Sequence, residues 1–301
     1  MLTANVKYLS LLMTIHEARM DLQAKLKGIY GESEAATIAD WSVEHITGLN
    51  RTERISGKNR VLDAGQLDSL LHTAQRLEAH EPVQYVLNEA WFCGLKFYVD
   101  KNVLIPRPET EELVEWIISN LRFPFHSLKI LDIGSGSGCI PVALKRKLRK
   151  AEIWSCDISG AALTVARKNA AALNADIHFL QLDILDQKAW AALPLFDIIV
   201  SNPPYVPQQD RLQMEKNVLD YEPPLALFVP DNDPLLFYRT IAALGREHLE
   251  TNGSIFLELY AAYARDTRDL YQQEKYSTEL KADMQQLPRL LRATKNQDIK
   301  N

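Results

Sequence analysis

The 301-residue chain is poor in cysteine, carries no cationic excess, and has neither a long apolar run nor metal-ligand spacing among its histidines. Cys93, Cys139 and Cys156 are odd in number and show no C-x-x-C spacing, which argues against a disulfide framework or a structural zinc and suits a reducing cytoplasm. Lys and Arg total 34 against 39 Asp and Glu, a formal charge of -5. As a whole the chain lacks the cationic surface on which non-specific nucleic-acid binding depends, although such a total is compatible with a local basic patch. No stretch reaches the roughly 18 apolar residues that a membrane span needs. The apolar patch after Lys7 is followed by His16, Glu17 and Arg19 where a signal peptide would place its small-residue cleavage site, so no secretory signal is expected. Seven histidines, His16, His45, His72, His80, His126, His178 and His248, contain no H-E-x-x-H pattern, which counts against a metal hydrolase; no metal is expected. Internal repeats and low-complexity tracts are lacking too.

What is present favours two domains, at about 100 to 200 residues each, with 47% apolar residues to build their cores. The chain before Val83 reads as helical. Leu67, Leu70, Leu71, Ala74 and Leu77 recur at helical spacing opposite Asp68, Gln75 and Glu78, the pattern of a core stripe in a small helical domain rather than of a groove for a partner. Gly48 is a candidate C-cap for the helix that precedes it. From Val83 to Ile105 the texture changes to Trp91, Phe92, Phe97, Tyr98 and Val99 broken by Gly94 and Asp100, as in short strands joined by turns. We read this as a hairpin joining two domains. Pro106 and Pro108 then fix two φ angles ahead of a helix that begins near Pro108 with acidic residues in its first turn. Beyond it, strand-like runs (Lys129 to Asp132, Ile153 to Asp157, Ile177 to Gln181, Phe196 to Ser201, Ser254 to Glu258) alternate with helical ones, which predicts an α/β domain with a parallel sheet. The expected division is a helical part over 1–82, a hairpin linker over 83–108 and the α/β domain over 109–295, with a frayed end from Asn296 to Asn301.

Two motifs carry chemistry. Asp132-Ile133-Gly134-Ser135-Gly136-Ser137-Gly138 follows the first strand of the α/β part and opens a helix, where glycines permit a tight turn and free N–H groups meet a ligand. The spacing is not that of a dinucleotide fingerprint, because Cys139 occupies the third glycine position, and the terminal Lys-Ser/Thr of a P-loop is missing. Gly136 at the central position also rules out a G-x-S-x-G nucleophile elbow. Asp157 and Asp183 each end a strand, at the sheet edge where open α/β folds bind ligands.

The second motif, Asn202-Pro203-Pro204-Tyr205, leaves a buried strand. Its two prolines remove two backbone donors and fix two φ angles, giving a stiff arch. A planar nitrogen bonded to a carbonyl or an aromatic ring has a delocalised lone pair and must be held and polarised to attack a methyl group. Asn202 Oδ1 and the Pro203 carbonyl can accept its two N–H hydrogens, and Tyr205 can lie against the planar group. No strong base is needed before transfer, since the proton becomes acidic only afterwards.

The Asp-x-Gly-x-Gly-x-Gly loop resembles the cofactor loop of class I S-adenosyl-L-methionine (AdoMet) methyltransferases. Taken over the whole chain, the sequence resembles the release factor glutamine methyltransferase family. The resemblance is carried by Glu81-Pro82-Val83-Gln84-Tyr85, Trp91 to Phe97, Val103 to Glu111 with its Arg107-Pro108-Glu109-Thr110 core, Asp132 to Gly138, Val200 to Tyr205, Tyr221-Glu222-Pro223 with Ala226-Leu227, and Phe237-Tyr238-Arg239. It implies AdoMet as cofactor, held at its methionine end and sugar by Gly134, Ser135, Gly136, Ser137 and Gly138. Asp157 would take the ribose and Asp183 with the Ile184 backbone the adenine. Asn202, Pro203, Pro204 and Tyr205 would hold the substrate amide, with Asn202 also beside the cofactor. It further implies a small helical N-terminal domain that helps dock the substrate, a hairpin, and a doubly wound seven-stranded sheet with one antiparallel strand. The implied reaction is methylation of N5 of the glutamine in the Gly-Gly-Gln loop of class 1 peptide-chain release factors. Three stretches depart from the family pattern: Val229 to Leu235, Leu259-Tyr260-Ala261-Ala262-Tyr263 where Gly-x-x-Gln is usual, and Gln286-Leu287-Pro288 where a glycine turn is usual.

Two rival readings use the same motifs. Adenine N6, cytosine N4 and guanine N2 methylases present a similar arch to a flipped base. A DNA enzyme would be expected to add a recognition domain with a basic stripe, whereas the N-terminal part mixes Lys25, Lys27, Arg51 and Arg54 with Glu32, Glu34, Asp40 and Glu44. A non-catalytic AdoMet-binding scaffold would keep the glycine loop and have no use for Asn202 beside Tyr205. Cys139 and Cys156 adjoin the cofactor motifs and are read as small core residues.

Overall fold

The structure, a computed structural model, describes residues 12–121 and 128–296. Expectations placed on Met1 to Leu11 and on 297–301 lie outside the described residues. The chain divides into two units, Met1–Asn88 and Glu89–Asn301.

The first unit is helical: α1 (Ile15–Tyr30), α2 (Glu32–Thr47), α3 (Arg51–Ser56), α4 (Ala64–Glu78) and α5 (Val83–Leu87). Three of these start at reciprocal caps, in which the side chains of Thr14, Asn50 and Asp63 accept from the backbone of Glu17, Glu53 and Gln66 while those residues reach back. Gly48 ends α2 at φ 67°, the left-handed position expected for it. Leu70, Ala74 and Leu77 of α4 are buried with Leu22 and Leu26 of α1 and Ile38 of α2, and Leu67 packs at the edge of the same core. Each fully buried leucine contributes about 1.5–3 kcal/mol. Asp68, Gln75 and Glu78 face solvent.

The second unit begins with a hairpin, β1 (Ala90–Phe92) and β2 (Leu95–Phe97). Its turn is Cys93-Gly94, both at positive φ (49° and 73°), as a two-residue turn between twisted strands requires. Then come α6 (Pro108–Asn120), β3 (Lys129–Ile133), α7 (Cys139–Lys147), β4 (Glu152–Asp157), α8 (Gly160–Ala172), β5 (His178–Gln181) and β6 (Phe196–Ser201). The remainder is β7 (Val206–Pro207), α9 (Lys216–Tyr221), β8 (Phe228–Val229), α10 (Leu236–His248), β9 (Leu249–Glu258), α11 (Ala264–Gln273), β10 (Tyr276–Ala282) and β11 (Pro288–Lys295). Seven strands form one sheet in the order β10-β11-β9-β6-β3-β4-β5, and β11 runs antiparallel to both of its neighbours while the other pairings are parallel.

Alternation along the strands sends side chains to two cores. Leu131, Ile199, Ile255 and Leu291 pack with Tyr238, Ile241 and Leu244 of α10 and Tyr271 of α11. Ile130, Val200, Phe256 and Leu290 pack with Leu113 and Ile117 of α6 and with Val142 and Leu144 of α7. Helices therefore cover both faces, the doubly wound arrangement that buries parallel strands on each side. Gly245 lets α10 come close: a Cβ there would lie 2.6 Å from Ile255 Cδ1 and 2.7 Å from the Tyr276 hydroxyl.

The interval read as a hairpin from Val83 onward is resolved differently. Val83–Leu87 is a helix whose Val83, Val86 and Leu87 belong to the first unit's core. Only Ala90 to Phe97 forms the hairpin, and Phe92 and Phe97 are fully buried in the second unit with Leu113 of α6. The apolar spacing at Val83, Val86 and Leu87 fits a helical turn as well as a strand, and burial against α4 decided between them.

Candidate functional site

β3 lies between β4 and β6, and the chain crosses from one side of the sheet to the other around it, so the C-terminal ends of these strands open a crevice. A cavity of about 230 Å³ occupies it, lined by Gly134, Ser135, Gly136, Ser137, Asp157, Asp183, Ile184, Asn202, Pro203 and Pro204, together with Arg107, Thr110, Ile158, Leu185, Leu225 and Phe237. Every sequence-predicted site residue lies on this wall except Gly138 and Tyr205.

The glycine loop is held chiefly by backbone groups. Gly134 and Ser135 donate their N–H groups to the Cys156 carbonyl at 2.8 and 3.1 Å, and Gly138 N–H donates to the Ser135 carbonyl at 2.7 Å. Gly134, Gly136 and Gly138 all have positive φ (84°, 50° and 80°). A Cβ on Gly136 would meet no protein atom within 4 Å, so glycine there keeps the cavity wall clear. Gly138 acts differently, since a Cβ would come within 3.1 Å of Ala166 Cβ on α8. Asn169, also on α8, pins the loop to the segment after the hairpin: its Nδ2 donates to the carbonyls of Ser137 and Tyr98, both at 2.8 Å, while its Oδ1 accepts from Tyr98 N–H at 2.7 Å.

Asp157 accepts from Gly136 N–H at 3.0 Å and from Ser159 N–H at 2.8 Å. Burial raises its carboxyl above the ordinary carboxylate value, and those two donors oppose the shift. Asp183 Oδ1 accepts from Leu185 N–H at 2.9 Å, and the Ile184 carbonyl accepts from the Trp190 indole at 3.0 Å. Beneath the loop, Asp132 is fully buried; its Oδ2 accepts from Ser155 at 2.6 Å, its Oδ1 has no partner, and burial pushes it up to about 7. Cys139 and Cys156 line the cavity as thiols, burial pushing Cys139 up to about 12 and Cys156 higher still.

The arch is held by side chains from distant parts of the chain. Ser201 Oγ donates to the Ile133 carbonyl at 2.7 Å and ties the ends of β6 and β3 together. Tyr205 and Val206 donate their N–H groups to the Leu227 carbonyl. Asn202 Nδ2 donates to Thr110 Oγ1 at 3.1 Å, Thr110 Oγ1 donates to Glu258 Oε2 at 2.6 Å, and the Tyr205 hydroxyl donates to Glu258 Oε1 at 3.1 Å. Glu258 is 1% exposed at the end of β9, and its carboxyl is raised by burial against the lowering effect of both hydroxyls. Burial, followed by the Glu258 charge, holds the Tyr205 phenol well above its ordinary value, so it remains a donor. Its ring stacks on Tyr260 at 5.8 Å and 19°, and Tyr260 donates its hydroxyl to Asp210 at 2.8 Å. Glycine loop and arch adjoin: a Cβ on Gly134 would lie 3.8 Å from the Asn202 carbonyl oxygen.

A further wall comes from the Arg107-Pro108-Glu109-Thr110 segment. Arg107 pairs with buried Glu222 at 2.5 Å, and Ile105 N–H donates to the other Glu222 oxygen at 3.2 Å. Burial raises the Glu222 carboxyl and Arg107 lowers it.

Sequence reasoning left Thr110, Glu258, Tyr260 and Asn169 out of the site. Glu258 had a signal, an acid ending the apolar run Ser254 to Leu257 in the same way that Asp157 ends its strand. The departures also acquire structure. Gln286 holds φ 64° where a glycine is usual, and buried Asp283 braces the turn by accepting from Gln285 and Leu287 N–H groups and pairing with Arg289 at 2.7 Å. Asp231 accepts from Gln209 N–H, and Asp233 pairs with Arg239. Tyr260 adopts φ -71°, so a side chain there costs no backbone strain. Among the described residues no helix is long and apolar enough to cross a membrane, and no group of three or more His, Cys, Asp or Glu could hold a metal ion.

Residues 110–220 match the family model described as Methyltransferase small domain, and 17–87 the one described as PrmC N-terminal domain. A solved methyltransferase from Pyrococcus furiosus shares the fold, with a TM-score of 0.50 and 15% identity over 78% of this chain and 100% of its own. The α/β sheet with the glycine loop and arch at its C-terminal edge is thus that of a class I methyltransferase. The chain is 43% identical to the release factor glutamine methyltransferase of Flavobacterium psychrophilum over 90% of its own length and 96% of the relative's. It is 40% identical to that of Bacteroides thetaiotaomicron over 85% and 90%. The chain belongs to the release factor glutamine methyltransferase family.

Proposed function

We propose that this chain transfers a methyl group from AdoMet to N5 of the glutamine in the Gly-Gly-Gln motif of class 1 peptide-chain release factors, in the cytoplasm. The observation that carries this reading is the shared cavity, on which a backbone cradle and an amide-bearing arch adjoin at Gly134 and Asn202. When bound, AdoMet supplies an electrophilic methyl group. The chain's own groups do the rest. Backbone from Gly134 to Ser137 follows the methionine end and sugar, with Gly138 setting the turn. The Asp157 carboxylate retains lone pairs for a ribose diol. Asp183 and the Ile184 backbone face the adenine, and half-exposed Ile158 and Leu185 offer apolar surface to its faces.

Asn202 Oδ1 and the Pro203 carbonyl accept the two amide hydrogens of the substrate glutamine, orienting its nitrogen and increasing its electron density. Pro204 keeps the arch stiff, and Tyr205, anchored by Glu258 and Tyr260, backs the planar amide. The helical unit, whose core extends through Leu87, would help dock the release factor, and the unit that begins at Glu89 would carry the catalytic site. To test this, labelled AdoMet is offered to the enzyme with a release factor and, in parallel, with duplex DNA, and the methyl is mapped by mass spectrometry. Label on the Gly-Gly-Gln glutamine is expected; label on a base would replace this reading with the nucleic-acid one.

A further inference from the structure

We propose that Thr110 and Glu258 are positioning residues that fix which end of the Asn202 amide meets the acceptor, an inference that rests on the glutamine-methylation reading above. A side-chain amide has a donor end and an acceptor end of nearly the same shape, and only its hydrogen-bond partners decide which way it faces. An Asn202 turned the wrong way would offer hydrogens to the substrate's N–H hydrogens.

The buried chain of contacts removes that ambiguity. Glu258 accepts at both oxygens, from the Thr110 hydroxyl at 2.6 Å and from the Tyr205 hydroxyl at 3.1 Å. A threonine hydroxyl has a single hydrogen. Once that hydrogen goes to Glu258, Thr110 Oγ1 can only accept from Asn202, which must turn its Nδ2 inward, as seen at 3.1 Å. Oδ1 is then the end left for the substrate. An aspartate at 202 could not donate to Thr110, so the same chain accounts for an amide rather than an acid at this position. Thr110 and Glu258 lie far from Asn202 in sequence, on α6 and at the end of β9, and both are buried. Through Tyr205 the same carboxylate also sets the far end of the arch, so one buried acid orients both polar residues of the Asn-Pro-Pro-Tyr segment.

The test compares Thr110→Val, which keeps shape and removes the hydroxyl, with Thr110→Ser, which restores it. Methyl transfer to a release factor gives kcat and KM, calorimetry gives AdoMet affinity, and thermal unfolding monitors folding. Thr110→Val should lose about 10- to 100-fold in kcat, with AdoMet affinity and release-factor KM within about threefold of wild type and Thr110→Ser within about threefold in kcat. Glu258→Gln, which cannot accept at both ends, should fall in kcat as well. Wild-type kcat in Thr110→Val, an equal loss in Val and Ser, or a loss confined to AdoMet affinity would each overturn the proposal. Should Thr110→Val unfold, Thr110→Ala is read in its place. If wild type labels another acceptor, the glutamine reading fails, and the same Val and Ser comparison on that acceptor still decides the positioning role.

Discussion

Between Gly134 and Gly138 the chain holds its shape chiefly with backbone groups, glycine conformations and one carbonyl from the neighbouring strand, with Asp157 and Asn169 bracing Gly136 and Ser137 from nearby elements. Between Asn202 and Tyr205 it depends on a threonine from α6 and a glutamate from the end of β9. The comparison separates two ways of building a site. A loop that binds through backbone N–H groups needs few side chains and tolerates little change at its glycines. An arch that must point a particular atom needs a buried polar chain in which every hydrogen is assigned, and such a chain fails as a unit when one member is lost.

Four measurements would break or sharpen this contrast. Asn202→Ala should lower transfer by about 10²–10³-fold or more while leaving AdoMet affinity within a few-fold; radiolabelled methyl transfer at the wild-type rate would sink the role given to the arch. Asn169→Ala removes the three hydrogen bonds by which this buried side chain ties the glycine loop to the Tyr98 segment. It should cost about 2–4 kcal/mol in a urea titration, and a change within experimental error would mean the loop is held by its glycines alone. Asp157→Ala should weaken AdoMet binding by about 1.5–3 kcal/mol, and unchanged calorimetric affinity would count against the ribose assignment.

The fourth measurement concerns Asp132, raised by burial from 3.8 to about 7. Because the folded value lies above the unfolded one, the folded state keeps a proton that the unfolded chain releases between those values. Stability therefore falls as pH rises through this window, by up to about 1.4 kcal/mol per pH unit, and levels off above it. Asp132→Asn should remove that component, so its melting temperature should gain on wild type as pH rises from 5 to 8. A constant difference across that range would place the Asp132 proton elsewhere.

Local motifs make much of the molecule legible from the sequence. Glycine spacing, the paired prolines, acids at strand ends and the alternation of strand-like and helical runs depend on near neighbours, and the structure puts Gly134, Asp157, Asp183 and Asn202 around one cavity. The interval after Val83 was less legible, because five residues of apolar spacing serve a helix turn or a strand and packing against α4 settled the matter. The turn at Gln286 shows the reverse case, in which backbone geometry survives without glycine because Asp283 supplies the hydrogen bonds.

The sequence by itself determined the class of chemistry, because a planar amide nitrogen needs fixed acceptors and a nucleoside needs a glycine turn with a carboxylate one strand away, and both demands are met by short motifs at the ends of successive strands. Tertiary structure alone decided which atom of Asn202 faces outward. That choice hangs on Thr110 and Glu258, 148 residues apart along the chain and joined only when α6 and β9 pack together. Hydrogen-bond direction is a property of the whole buried chain of donors and acceptors, and no local run of residues contains it.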